Sequence, residues 1–194
     1  MDEAFDAGVE RKSANSFCLA RVDRLVSSTG PANDASAYWS RDGKWIYFAS
    51  NRTGRLEVWK MSADGSAGEI RVTQNGGWRS RESFDGETLY FQKFDVSGIF
   101  RMPAGGGPEE RIGDLPPSQD WNVVPGAIYY LDPGVGEFVV KRLDLTTGRT
   151  TDALKLPKRT LGGAAIFTVS PDSRWLVFVH VDHSLNELMI EGFR

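Results

Sequence analysis

Hydrophobic and polar residues alternate along this chain in short stretches, each bounded by a turn rich in Asp, Gly and Ser. This is the period-2 pattern of half-buried β-strands. One unit recurs four times: a small or polar residue, a turn containing Gly, then an alternating apolar strand. The copies read Ser40-Arg41-Asp42-Gly43-Lys44-Trp45-Ile46-Tyr47-Phe48, Ser83-Phe84-Asp85-Gly86-Glu87-Thr88-Leu89-Tyr90-Phe91, Val124-Pro125-Gly126-Ala127-Ile128-Tyr129-Tyr130 and Ser170-Pro171-Asp172-Ser173-Arg174-Trp175-Leu176-Val177-Phe178. Asp-Gly supplies the positive φ of a tight turn, and the aromatic and β-branched residues after it suit a pleated strand.

The turn residues Gly43, Gly86, Gly126 and Ser173 lie 43, 40 and 47 residues apart, the spacing of four-stranded propeller blades. The rest of each unit follows suit. Arg52-Thr53-Gly54 leads into Leu56–Met61, Ser97-Gly98 into Ile99–Met102, Gly134-Val135-Gly136 into Phe138–Leu143, and Asp182-His183-Ser184 into Leu188–Ile190. Short fourth strands follow at 69–73 and 109–112. The pattern predicts an all-β protein, a β-propeller of about four blades of four antiparallel strands or a partial propeller. Residues 1–22 form an irregular leader and the blades fall at about 37–73, 80–112, 120–154 and 166–194. The last blade lacks a fourth strand of its own, and Asp23-Arg24-Leu25-Val26-Ser27 matches the missing pattern. A strand from residues 23–27 in that place would close the sheet and remove an exposed edge.

Trp39-Ser40-Arg41-Asp42-Gly43-Lys44 followed by Ala49-Ser50-Asn51-Arg52, together with Val169-Ser170-Pro171-Asp172, resembles the WD-like repeat of the TolB family, whose core reads Trp-Ser-Pro-Asp-Gly-Lys, an apolar strand and Ser-Asx-Arg. The resemblance covers residues 23–194. It implies a propeller of a kind found in periplasmic TolB proteins that bind a lipoprotein, at the sensory ends of membrane-bound winged-helix regulators, and as the gate of prolyl-oligopeptidase-like peptidases. The ending Asn186–Arg194 looks like the C-terminal part of the regulator-fused type. Propellers of this family have six or more blades. The expectation for four is therefore an arc that closes into a ring or meets a second copy as a homodimer.

Charge narrows the functions. With a net charge of −3 and a pI near 5.5, no basic surface exists to hold a nucleic-acid backbone. The single cysteine, Cys18, excludes both an internal disulfide and a paired-thiolate metal site. No apolar run is long enough for a membrane span, so direct membrane insertion is not expected. The acidic start lacks the pattern of an export signal, which points to the cytoplasm, whereas the family resemblance points to the periplasm.

Little catalytic chemistry stands out, and neither a catalytic residue nor a cofactor is predicted. His180, Asp182 and His183 form the one group resembling a metal cluster. Strand alternation places His180 and Asp182 on one face and His183 in the following turn, so no metal site is expected. No Gly-x-Ser-x-Gly elbow is present, and Gly105-Gly106-Gly107-Pro108 lacks the Lys-Ser/Thr of a phosphate loop. A binding site on a propeller belongs at a mouth of the central channel, where loops converge. The candidates are Asn51, Arg52, Trp78, Arg79, Arg81, Asp120 and Trp121, chosen because Arg and aromatic side chains make good interface anchors. Trp39, Trp45, Trp59, Trp121 and Trp175 are expected to pack between blades, with Trp78 exposed. The first functional expectation is a non-catalytic binding module for a protein or peptide partner. The alternatives are a ligand-sensing domain of a membrane-bound transcriptional regulator and a propeller enzyme such as a lyase or glycosidase.

Overall fold

The computed structural model describes residues 18–20, 25–27, 32–116, 120–133, 137–157, 167–182 and 185–192. Within them the chain is all β and forms four consecutive propeller blades. The first blade comprises β3 (Asp34–Trp39), β4 (Trp45–Ser50), β5 (Glu57–Ser62) and β6 (Ile70–Arg71). The second comprises β7 (Trp78–Glu82), β8 (Thr88–Gln92), β9 (Ile99–Pro103) and β10 (Glu110–Gly113). The third comprises β11 (Trp121–Val124), β12 (Ala127–Pro133), β13 (Glu137–Asp144) and β14 (Thr150–Pro157). Each of these is an antiparallel sheet in simple meander order. The fourth sheet has three strands, β15 (Phe167–Val169), β16 (Trp175–Asp182) and β17 (Leu185–Gly192).

The repeated turn holds itself by the same bonds in three blades. Ser40 Oγ donates to Asp42 and accepts from the Trp45 amide at 2.8 Å, while the Lys44 amide donates to Asp42 at 3.0 Å. Ser83, Asp85, Glu87 and Thr88 repeat these contacts, as do Ser170, Asp172, Arg174 and Trp175. Side-chain oxygens thus satisfy amides that the sheet ladder leaves unpaired at the turn. Gly43 and Gly86 adopt φ of 70° and 75° here, and Ser173 takes the same left-handed conformation at 58°.

Blades pack face to face through the alternate residues of their second and third strands. Tyr47 and Val58 of the first meet Leu89, Phe91, Phe100 and Met102 of the second. Tyr90 and Ile99 meet Trp121, Ile128, Tyr130 and Leu143. Tyr129, Leu131 and Val140 meet Phe167, Leu176 and Phe178. Ile46, Phe48 and Met61 form a separate buried cluster. They alternate with Tyr47 along β4 or pair across to it, so they lie on the flank of the first blade turned away from the second.

Two expectations are corrected by the strand pairing. Leu25–Ser27 (β2) pairs with Cys18–Ala20 (β1) as a two-stranded ribbon, and among the described residues no pairing joins it to the fourth sheet. The supposed leader therefore contributes a strand, and the short apolar run at 25–27 finds a local partner before a distant one, which costs less loop-closure entropy. The tryptophans also distribute differently. Trp121 is buried, Trp45 and Trp59 are half-buried, and Trp39 and Trp175 are 41% and 49% exposed. Trp39 pairs with Ile46 on the outward flank of the first blade, and Trp175 alternates with the inward Leu176 on the far flank of the fourth. Both sit at the ends of the four-blade run rather than between blades.

Candidate functional site

The first strands of successive blades, β3, β7, β11 and β15, approach one another and so line the propeller axis. Register fixes which residues share a level. Tyr38 pairs with Tyr47, Arg81 with Tyr90, Asn122 with Tyr129 and Thr168 with Val177. Tyr47, Tyr90 and Tyr129 occupy matching core positions, each packed against the next blade. Tyr38, Arg81, Asn122 and Thr168 therefore form one tier of four side chains around the axis.

Neighbours in this tier touch. The Arg81 guanidinium lies 4.7 Å from the Tyr38 ring centre and 6.0 Å from that of Trp121. It donates to the Ser80 carbonyl at 2.8 Å. Among the described residues, no carboxylate comes within ion-pair distance of it. Burial lowers the Arg81 pKa from its ordinary value, partly offset by the pull of Tyr38 and Asp120; a guanidinium nonetheless stays charged at any physiological pH. Between the neighbouring third and fourth blades, Thr168 Oγ1 bonds Asn122 Oδ1 at 3.2 Å, and Asn122 Nδ2 donates to the Phe167 carbonyl at 2.9 Å.

A second tier lies toward the end where the inner strands begin. Arg79 reaches across to Asp120 at 3.9 Å, and Asp120 accepts from the Phe167 amide at 3.4 Å. Arg79 sits at a β-bulge between Trp78 and Ser80 with φ of 32°. Ser36 makes the equivalent bulge in β3, with φ of 55°. Positive φ at non-glycine residues costs energy and persists where the surroundings impose it. Bulges also re-aim side chains at sheet rims.

The sequence-predicted residues thus divide into two groups. Arg79, Arg81, Asp120 and Trp121 converge, with Trp121 buried and its Nε1 donating to Gln92 at 2.9 Å. Asn51 and Arg52 lie at the same end but serve the first blade itself. Asn51 Oδ1 accepts from the Asn33 amide. Arg52 bonds Glu69 and Asp34, donates to Ser50 Oγ at 2.8 Å, and covers the rings of Phe48 and Trp59. Trp78 is not the exposed tryptophan expected. It begins β7, is half-buried, and meets Phe94 edge-to-face at 5.6 Å. Tyr38, Asn122 and Thr168 were not singled out, yet each stands two residues before its unit's first residue, as Arg81 stands before Ser83. Aligning the four copies backwards from Ser40, Ser83, Val124 and Ser170 finds the tier.

Elsewhere, a cleft of about 490 Å³ opens between the first two blades, lined by Arg41, Trp45, Tyr47, Lys60 and Glu82. Its buried carboxylate, Glu82, is already occupied by the Arg41 amide and the Tyr47 hydroxyl, at 2.6 and 2.8 Å. Among the described residues, no three His, Cys, Asp or Glu side chains converge where they could hold a metal ion. His183 lies outside the described residues.

No family model matches the chain. A curated protein of Agrobacterium fabrum, itself uncharacterized, is 42% identical over 82 residues, which are 41% of this chain and 27% of that one. TolB from Acinetobacter baumannii superposes with a TM-score of 0.67 at 20% identity, over 87% of this chain and 43% of TolB. A protein described as a TolB from Agrobacterium tumefaciens gives 0.63 at 18%, over 87% and 62%. An oligogalacturonate lyase, solved in complex with manganese, gives 0.63 at 14%, over 92% and 57%. This chain has the fold of TolB-like β-propellers. It spans less than two thirds of the length of each of these proteins.

Proposed function

We propose that the chain is a non-catalytic binding module that takes a protein or peptide partner at the axial mouth formed by β3, β7, β11 and β15. One observation carries this reading: the inner strands bring Tyr38 and Arg81 together at one level, next to the buried Trp121 ring and beside the polar pair Asn122 and Thr168. Arg, Tyr and Trp are the side chains most often found as interface anchors, and here a four-blade scaffold holds them in place. Asp120 is committed to the Phe167 amide and faces Arg79, so it is not poised as a general base. The likeness to TolB structures agrees with a binding role, and the likeness to a lyase keeps an enzyme as the competing outcome.

The test places a photo-crosslinking amino acid at Ala37 and at Thr168, both exposed on inner strands, with exposed Ile70 on β6 as the outer control. A binding module gives the same discrete protein adduct from both axial positions and none from Ile70. Adducts from Ile70 alone, or cleavage of uronate oligomers by the purified chain with no axial adduct, would overturn the reading.

A further inference from the structure

The axial tier contains a cation that, among the described residues, has no carboxylate within ion-pair distance, although Tyr38 and Asp120 exert an electrostatic pull on it. Arg81 projects from a central strand between two aromatic rings, half-buried, with one guanidinium nitrogen on the Ser80 carbonyl. Lys60 is likewise half-buried over two rings, Trp45 and Tyr47, but on β5, the third strand of its blade and away from the axis, and several other half-buried cations in these blades face carboxylates. Arg52 meets Asp34 and Glu69, Lys93 meets Glu109 at 2.8 Å, Arg142 meets Asp144 at 2.9 Å, and Arg79 faces Asp120. A guanidinium has five donors in a planar fork, and here the rings of Tyr38 and Trp121 lie close to it while the Ser80 carbonyl is its one hydrogen-bond acceptor among the described residues. The arrangement matches a carboxylate, which accepts two parallel hydrogen bonds from such a fork.

We propose that Arg81 is the recognition residue for a single carboxylate of a bound peptide, either a C-terminal carboxylate or an Asp or Glu side chain. The proposal rests on the binding function above and deepens it. A single carboxylate is specified because the neighbouring Arg79 already faces Asp120. An oligouronate, with a carboxylate on every ring, would call for a row of open cations. Beyond Arg81, the tier holds the amide of Asn122 and the hydroxyl of Thr168, which bond each other and keep the second amide N–H and the hydroxyl lone pairs for a peptide backbone. The tier also lies inside a rigid frame, since Asn122 is tied to the Phe167 carbonyl and Trp121 to Gln92, so little ordering remains to be done on binding.

The experiment follows the arginine Nε–H resonances of the full chain, with that of Arg81 assigned through R81K, during titration with four probes. These are acetyl-pentaglycine with a free C-terminus, an amidated acetyl-Gly-Gly-Glu-Gly-Gly, its Gln counterpart, and digalacturonate. The expected result is a saturable shift of the Arg81 signal with the first peptide, the second or both, and none with the Gln peptide. The responding peptide identifies the source of the carboxylate. R81Q should bind that peptide at least about tenfold more weakly, the scale of one charge-assisted hydrogen bond, with an unchanged thermal midpoint confirming that it folds. Equal binding of the Gln peptide, unchanged affinity in R81Q, no shift with either acidic peptide, or tighter binding of digalacturonate would each overturn the proposal. Crosslinking at Thr168 separates the two claims. An adduct that persists in R81Q removes the role of Arg81 and leaves the binding module standing, whereas absence of any axial adduct in the unaltered chain removes the module itself.

Discussion

Tyr47 of the first blade donates its phenolic O–H to the carboxylate of Glu82 in the second, 2.8 Å away, and both residues are buried. The Arg41 amide supplies a second donor to the same carboxylate at 2.6 Å. Glu82 thereby bonds two points of the neighbouring blade and helps to set the angle between the two sheets. Removing one partner of a buried charged hydrogen bond leaves the other unsatisfied. Y47F is expected to lower unfolding free energy by about 1–2 kcal/mol. E82A, which strands two donors, should cost about 2–4 kcal/mol. E82Q keeps an accepting oxygen and should fall between E82A and the unaltered chain. Urea unfolding followed by tryptophan fluorescence measures all three, and an E82A no weaker than E82Q would sink the account.

Gly77 marks a place where the backbone of the first blade admits no side chain. A Cβ there would lie 2.4 Å from Thr73 Oγ1, 2.7 Å from the Val58 amide and 2.8 Å from Val58 Cγ2. Its own amide donates to the Leu56 carbonyl at 2.9 Å, which fixes the entry into β7. G77A must push this segment away and break buried bonds around Thr73 and Glu57, at an expected cost of about 2 kcal/mol or more. Gly68 provides the control, since a Cβ there meets nothing within 4 Å and its φ is unexceptional. G68A should leave the thermal midpoint where it is or raise it slightly.

Much of the fold is legible in the sequence because its turns carry their own chemistry. Ser40 with Asp42, Ser83 with Asp85 and Ser170 with Asp172 close on themselves through neighbouring atoms, so the motif that marks each blade is also the structure that makes it. The axial tier is legible by the same alignment, though only once it is known that first strands face the axis. Other features leave no such mark. The bulges at Ser36 and Arg79 carry no glycine that would mark them in the sequence. Three-residue strands such as Leu25–Ser27 do not encode their register, so their partner could not be deduced. Arg52 looked like a mouth residue because it is an arginine in a loop between strands, but two carboxylates remote in sequence, Asp34 and Glu69, hold it within the first blade.

Ser173 occupies the left-handed conformation that Gly43 and Gly86 adopt in the matching turns. A Cβ costs roughly 1–2 kcal/mol in that region, while glycine pays for its freedom in the unfolded chain. The balance favours glycine at this position. S173G should stabilise the chain by about 0.5–1 kcal/mol, whereas G43S and G86S should destabilise by a similar amount. A thermal midpoint lowered by S173G would contradict the turn assignment in the fourth blade.

Stability should fall at both ends of the pH scale, for different groups. The turn aspartates are held below their ordinary values by hydrogen bonds: Asp42 by the Lys44 amide and Ser40, and Asp85 and Asp172 by Ser83 and Ser170 with nearby amides. Asp64, bonded by Ser66, and Asp144, bonded by Thr147 and Arg142, are held down to about 2. A carboxylate with a depressed folded pKa contributes stability above its unfolded value near 3.9, and that contribution is lost as pH falls through the folded value. The acid loss is therefore expected between about pH 4 and about pH 2. At the other end, burial raises the phenols of Tyr38, Tyr47, Tyr90 and Tyr130, with the Glu82 carboxylate adding to the effect at Tyr47. A raised phenol favours the folded state increasingly little once the unfolded chain begins to ionise, so stability declines above about pH 10. Thermal midpoints measured from pH 2 to 11 should trace a plateau with these two edges. D144N should reduce the acid slope and leave the alkaline edge alone, and Y47F should do the reverse; an acid edge unchanged in D144N would place the titrating groups elsewhere.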